Sequence, residues 1–215
     1  MDWSIIWNAR SLLAHGLAMS GLLVVTGAVG GVILGAGLAL LRISPYRVLS
    51  LPAAAYVAVM RSVPLILVLF WFYFMLPLLT GHPLGALSSA LTAFVLFEAA
   101  FYCEIIRAGI GSVPKGQNQA AAATGLKGWQ ILRLVILPQA FAAMVPLFLN
   151  QVVILFQDTS LVYVVTLHDF LTAANIVADQ QERPIEMYTF VAIVYFVICY
   201  CISLLVGRNK GPVFR

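Results

Sequence analysis

The chain is poor in charge. Only 9% of its 215 residues are Asp, Glu, Lys or Arg, and 62% are hydrophobic; a soluble domain carries about 25% charge. Such a chain cannot cover a water-exposed surface, so it reads as an integral membrane protein. Cysteine is scarce. Cys103, Cys199 and Cys201 all fall in apolar stretches. Positions 199 and 201 point in different directions on a helix, so buried thiols are expected rather than a disulfide. His15, His82 and His168 are far apart and share no zinc spacing with the cysteines, so no metal site is expected. The net charge is +4, but there is no Lys/Arg-rich run and no basic–aromatic interleaving, which argues against nucleic acid. The Gly-x4-Gly-Lys-Ser/Thr phosphate loop is absent, as is any internal repeat. The first apolar run is too long for a signal-peptide core and holds no convincing cleavage site, so no cleaved leader is expected.

What the chain does have is long apolar runs. A hydrocarbon core needs about 20 apolar residues per helix. Five candidate spans stand at roughly 17–41, 52–79, 86–108, 135–157 and 187–207, in what reads as one membrane domain over 1–215. With five crossings, Arg42, Arg47, Arg107, Lys115, Lys127, Arg133, Arg208, Lys210 and Arg215 fall on one side. Only Arg10 and Arg183 fall on the other. The excess of basic residues marks the cytoplasmic face, which puts the N-terminus outside and the C-terminus in the cytoplasm.

Gly27, Gly31 and Gly35 recur at spacing four in the first span. Such a face lets another helix, of this chain or a second one, approach closely. Residues 159–186 are too polar to cross. Apolar positions 161, 164, 165, 167, 171 and 174 within them suit a short helix lying against the bundle.

Polar residues inside the spans are costly and usually functional. Arg61, Ser62 and Pro64 interrupt the second span. Pro64 removes a backbone donor and can kink the helix. Arg61 either meets a ligand carboxylate, or reaches the headgroups, or pairs with Glu98 or Glu104. Glu104 and Arg107, three apart, can pair on one face. Glu98 has no local partner and should face the bundle interior, as a ligand contact or bonded to another helix. Asn150, Gln157 and Asp158 form a polar stripe on the fourth span, with Gln151 beside it. It suits a water-accessible pathway or interhelical hydrogen bonds. Asp158, Thr159 and Ser160 can cap a new turn or bond a polar solute.

The stretch 116–127, "GQNQAAAATGLK", lies outside the spans. Its alanines favour helix, Asn118 is a candidate N-cap and Gly125 a candidate C′ residue, giving a short helix at about 117–125. A connector and a docking plug are both open on composition alone. The longer text "QAAAATGLKGWQILRLVILPQA" resembles the cytoplasmic coupling motif of ABC importer permeases, with Ala120, Ala121, Gly125, Val135, Leu137 and Pro138 at matching spacing. Gln119 stands where the motif has Glu, and Val135 where it has Ile. "RSVPLILVLFWFY", "FEAAFYCEIIRAGI" and "LFQDTSLVYV" are similar to the permeases of polar amino acid importers, and look most like those of glutamate/aspartate importers. The resemblance runs nearly end to end.

It implies an all-α, type I ABC importer permease of about five transmembrane helices in the bacterial inner membrane, working beside a second permease, identical or related. Two cytoplasmic ATPase subunits would hold ATP and Mg, and this chain no cofactor; a periplasmic binding protein would deliver the amino acid. Gly116, Gln119, Ala120, Ala121, Gly125, Leu126 and Pro138 would then couple to the ATPase. Arg61, Ser62, Pro64, Glu98, Gln151, Gln157, Asp158, Thr159 and Ser160 are the candidate substrate pathway. A permease for glutamine, a basic amino acid or cystine is the alternative, and a channel or ion-coupled carrier a further one.

Overall fold

The computed structural model describes residues 3–82 and 85–208, with side chains through 205. Lys210 and Arg215, used above for orientation, lie outside the described residues. Among the described residues every regular element is helical. A short α1 (Ser4–Asn8) leads into α2 (Arg10–Ile43). Next come α3 (Arg47–Ser62) and α4 (Leu65–Phe70); a π turn at Trp71–Met75 then joins α4 to α5 (Leu76–Thr80). The long α6 (Ala86–Gly111) is followed by α7 (Lys115–Ala123) and α8 (Gly128–Ile131). A second π turn, Leu132–Ile136, runs into α9 (Leu137–Asp158), which tightens into a 3-10 turn at Thr159–Val165. The chain closes with α10 (Phe170–Gln181) and α11 (Pro184–Arg208).

Four helical stretches are long and apolar enough to cross a membrane: Arg10–Ile43, Ala86–Gly111, Gly128–Val165 and Pro184–Leu205. The second expected span is not one straight helix. It breaks between Ser62 and Leu65 and bends by 107°. The cause is local. Pro64 has no N–H to continue the ladder and forces its predecessor out of the helical region, and Val63 is extended, with φ −110° and ψ 136°.

The glycine face of α2 finds its partner within this chain, on α6. A Cβ at Gly31 would stand 2.8 Å from Cβ of Glu98. One at Gly35 would stand 2.9 Å from the Ala99 carbonyl oxygen and the Cys103 nitrogen. Glycine is required there because backbone meets backbone. The main apolar core lies beside this contact, where Leu23, Leu65, Val68, Leu69, Phe94 and Leu155 are buried together. A second cluster joins Ile5, Leu13, Phe170, Val177, Met187 and Val191 at the end of the bundle where α2 and α11 begin.

Two expectations are corrected here. Of the three thiols only Cys103 is buried; Cys199 is half-buried and Cys201 exposed, because α11 lies at the periphery. And residues 159–186 form two pieces rather than one helix, since Thr166 adopts a left-handed φ of 62°. The new start at α10 is made by Asp169, whose carboxylate accepts from the Leu171 and Thr172 N–H groups at 3.0 and 3.2 Å. It is an N-cap that satisfies otherwise orphaned donors.

Candidate solute cavity and coupling segment

The 107° break decides where Arg61 goes. On a straight span it would lie deep in the bilayer. At the end of a turned-off α3 it comes within 3.7 Å of Glu104 on α6, with its side chain 46% exposed. The other partners of Glu104 are Arg42, the penultimate residue of α2, and Arg107, which donates at 2.8 and 3.0 Å. Three guanidinium groups thus surround one carboxylate toward one end of the bundle. The sequence pairs Glu104 with Arg107 across one helical turn, but gives no signal for Arg42, 62 residues away. Arg61 also stacks over Phe101, 5.6 Å from the ring centroid.

Arg61 and Glu104 of this cluster stand at the rim of a cavity of about 220 Å³ between α3, α6 and α9. Phe101, Leu147, Asn150 and Gln151 line it with Arg61 and Glu104. Gln151 is buried, and behind it Glu98 is wholly excluded from solvent. The Gln151 amide nitrogen donates to both Glu98 oxygens, at 3.2 and 3.1 Å. Glu98 is therefore bonded to another helix. With its amide nitrogen on Glu98, Gln151 has its amide oxygen left for another partner. The cavity offers donors at one end and an acceptor at the other. The surplus of cations at the rim favours an anionic group.

The remaining pathway candidates lie elsewhere. Ser62 donates to the Ala58 carbonyl at 2.7 Å, and Pro64 opens α4. Gln157 is exposed and approaches Cys199 Sγ at 3.9 Å. Asp158 is half-buried where α9 ends. Thr159 and Ser160 do not cap the new turn; they donate back to the carbonyls of Phe156 and Gln157 at 2.7 and 2.8 Å. The expected stripe on α9 is therefore divided. Asn150 reaches the cavity, whereas Gln157 turns toward α11. Phe101 and Asn150 complete the cavity, and only the second was marked by its polarity.

The segment 116–127 forms α7, but Asn118 does not cap it. The helix begins three residues earlier, after Pro114, whose φ of −57° is preset for a helix start. Gly125 does end it, with φ +83° and its N–H on the Ala122 carbonyl at 3.0 Å. Gly116, Gln119 and Ala120 are exposed, and Ala121 faces inward. Leu126 is half-buried and Pro138 exposed at the start of α9. Gln139 ties the two elements, donating to Gln117 at 3.4 Å and to the Val135 carbonyl at 2.9 Å.

Residues 27–209 match the family described as "Binding-protein-dependent transport system inner membrane component". The chain is 47% identical over 216 residues to the glutamate/aspartate import permease protein GltK of Escherichia coli O157:H7, covering 97% of this chain and 96% of that one. It is 34% identical to the probable glutamine ABC transporter permease protein GlnM of Bacillus subtilis, covering 97% and 95%. Among solved structures, the amino acid ABC transporter crystallised with histidines superposes with a TM-score of 0.91, at 29% identity and 98% of both chains. The MetNI methionine ABC transporter, facing inward, superposes at 0.74 and 19% identity, which speaks to the fold alone. The apolar helices, the coupling-like segment and these matches agree: the chain belongs to the binding-protein-dependent transport system inner membrane components.

Proposed function

We propose that this chain is the permease of an ATP-driven importer for acidic amino acids, glutamate or aspartate, with its N-terminus outside and its C-terminus in the cytoplasm. The observation that carries this reading is the cavity rim, where Arg61 lies beside Glu104, a single carboxylate already paired with Arg42 and Arg107. Arg61 is the most weakly held of the three, 3.7 Å from Glu104, and lines the cavity, so it can take a solute carboxylate in a charge-assisted pair. The Gln151 amide oxygen, set by Glu98, accepts from the solute ammonium. The identity to a glutamate/aspartate permease supports the same substrate class.

ATP and Mg are held by a separate pair of cytoplasmic ATPase subunits. A second permease, a copy or a relative, completes the pathway, and an extracytoplasmic binding protein delivers the amino acid. The exposed face of α7, with Gly116, Gln119 and Ala120, docks on the ATPase. Gly125 shapes its end, while Leu126 and Pro138 seat it on the bundle. Gln119 carries no charge, so docking there rests on shape. Closure of the ATPase pair moves the permeases between two rigid-body states.

The test is uptake by the complete transporter in vesicles, with competition by glutamate, aspartate, glutamine, arginine and cystine. Charge-assisted hydrogen bonds contribute about 1.5–3 kcal/mol. Arg61→Ala should therefore raise KM for glutamate roughly ten- to hundredfold, and Gln151→Ala should raise it too. An unchanged KM in both variants would remove the cavity from the substrate path. Uptake independent of ATP would point to a channel or ion-coupled carrier instead.

A further inference from the structure

We infer that the outer flank of the bundle, where α2 and α11 begin, holds one phospholipid, with an acyl chain in a groove and the phosphate on Arg10. The groove has a volume of about 200 Å³ and is lined by Leu13 and Leu17 of α2, Phe170 of α10, and Phe190 and Val194 of α11, with Arg10 at its mouth. Its wall is apolar, and two of its helices, α2 and α11, are long and apolar enough to cross a membrane. It runs inward from Arg10: Leu17 lies about 10 Å further along α2, at 1.5 Å per residue.

The mouth stands at the level of the headgroups. Trp7 beside it is 70% exposed, as aromatic residues are at the membrane–water boundary. Arg10 rests against Trp7, its Nη1 donating to the Trp7 carbonyl at 2.9 Å and its guanidinium 4.8 Å from the ring centroid. That holds the cation in place and uses only one of its five N–H donors. Among the described residues Arg10 has no carboxylate partner. A planar cation with free donors suits a phosphate.

Charge selects the occupant. Arg10 at the mouth offers free donors to a phosphate, and the apolar wall below it suits a hydrocarbon chain. An anionic headgroup is favoured over a zwitterionic one by Arg10, which has no carboxylate partner among the described residues.

The test uses the complete transporter, washed in mild detergent after incubation with vesicles of phosphatidylcholine, with or without phosphatidylglycerol. Retained lipid is counted by mass spectrometry. The wild type should keep about one phospholipid per chain and prefer phosphatidylglycerol. Arg10→Gln should lower that preference about five-fold, and Arg10→Lys should keep most of it. Ala14 is an exposed member of the lining, so Ala14→Trp should fill the groove and lose the retained lipid while size-exclusion chromatography shows an intact complex. Should Ala14→Trp fail to assemble, Arg10→Gln decides. Retention and preference unchanged in Arg10→Gln would overturn the site. So would a photo-crosslinker at position 14 that captures protein instead of lipid.

Discussion

α6 and α11 are both apolar helices of membrane-spanning length, yet they are treated differently. The most apolar window of α6 has mean hydropathy 1.6 and is 56% buried; that of α11 has mean hydropathy 2.3 and is 6% buried. The less apolar helix is the central one. In a bilayer there is no hydrophobic gain from leaving lipid, so packing is decided by close approach and by polar groups that need partners. α6 has both: small Ala90, Ala93, Ala99 and Ala100 that α2 and its neighbours can meet, and Glu98 and Glu104 that must be answered by other helices. α11 offers large side chains to its surroundings, and Thr189 there bonds only its own helix, at 2.7 Å from the Ile185 carbonyl.

This contrast can be broken by mutation. The largest effect is expected on the glycine face. Gly35→Leu drives a side chain into the α6 backbone, which cannot rotate away, so overpacking should exceed the usual 1–3 kcal/mol. The folded chain should be lost from membranes on immunoblots; normal levels would show that α2 and α6 are not locked together. Next is α7, the segment that follows α6. Nothing lies within 4 Å of a Cβ at Gly125, but its φ of +83° strains an added side chain, Asp less than most; because that cost is local to the end of α7, Gly125→Asp should leave the permease in the membrane. It should abolish substrate-stimulated ATP hydrolysis, and retained stimulation would argue against docking at α7.

Smaller again is Glu98→Leu, which strips the Gln151 amide of its acceptor. Leaving a buried donor unmet costs about 1–3 kcal/mol, visible as a lower unfolding midpoint in detergent, whereas Thr189→Ala on α11 should be silent. The smallest effect belongs to the exposed flank. Ile193 is 52% exposed, and Ile193→Ala should change stability by no more than about 0.5 kcal/mol. A much larger loss in the complete transporter would mean that a partner chain, not lipid, covers α11.

The same contrast explains what could be read in advance. Length and hydropathy suffice to find α2, α6, α9 and α11, because crossing a bilayer is a property of the local run. Gly27, Gly31 and Gly35 announce a close contact, but spacing four says nothing about which helix comes near. Pro64 announces a break, yet not its 107° angle, and that angle moves Arg61 from mid-span to the Glu104 cluster. Arg42 meets Glu104 across 62 residues, a tertiary fact with no periodic trace. Asn118 misled because a good N-cap residue lost to Pro114, whose fixed φ starts the helix earlier. Glu98 was legible as a residue in need of a partner, and Gln151 as a polar residue nearby in type; only folding joined them.

One feature of α9 has a mechanical meaning. Gly128–Val165 is a single apolar helical run, and it carries Pro138 near the α7 contact and Gln151 in the cavity wall. The two stand about 20 Å apart along one rod at 1.5 Å per residue. A rod tilted at one end displaces its middle at once, with no chain of side chains to pass the signal. Stiffness, more than chemistry, would set how much of a push at the α7 end arrives at the cavity wall. Pro146, inside α9 between the two, removes a ladder hydrogen bond and is the place where that stiffness can be tuned.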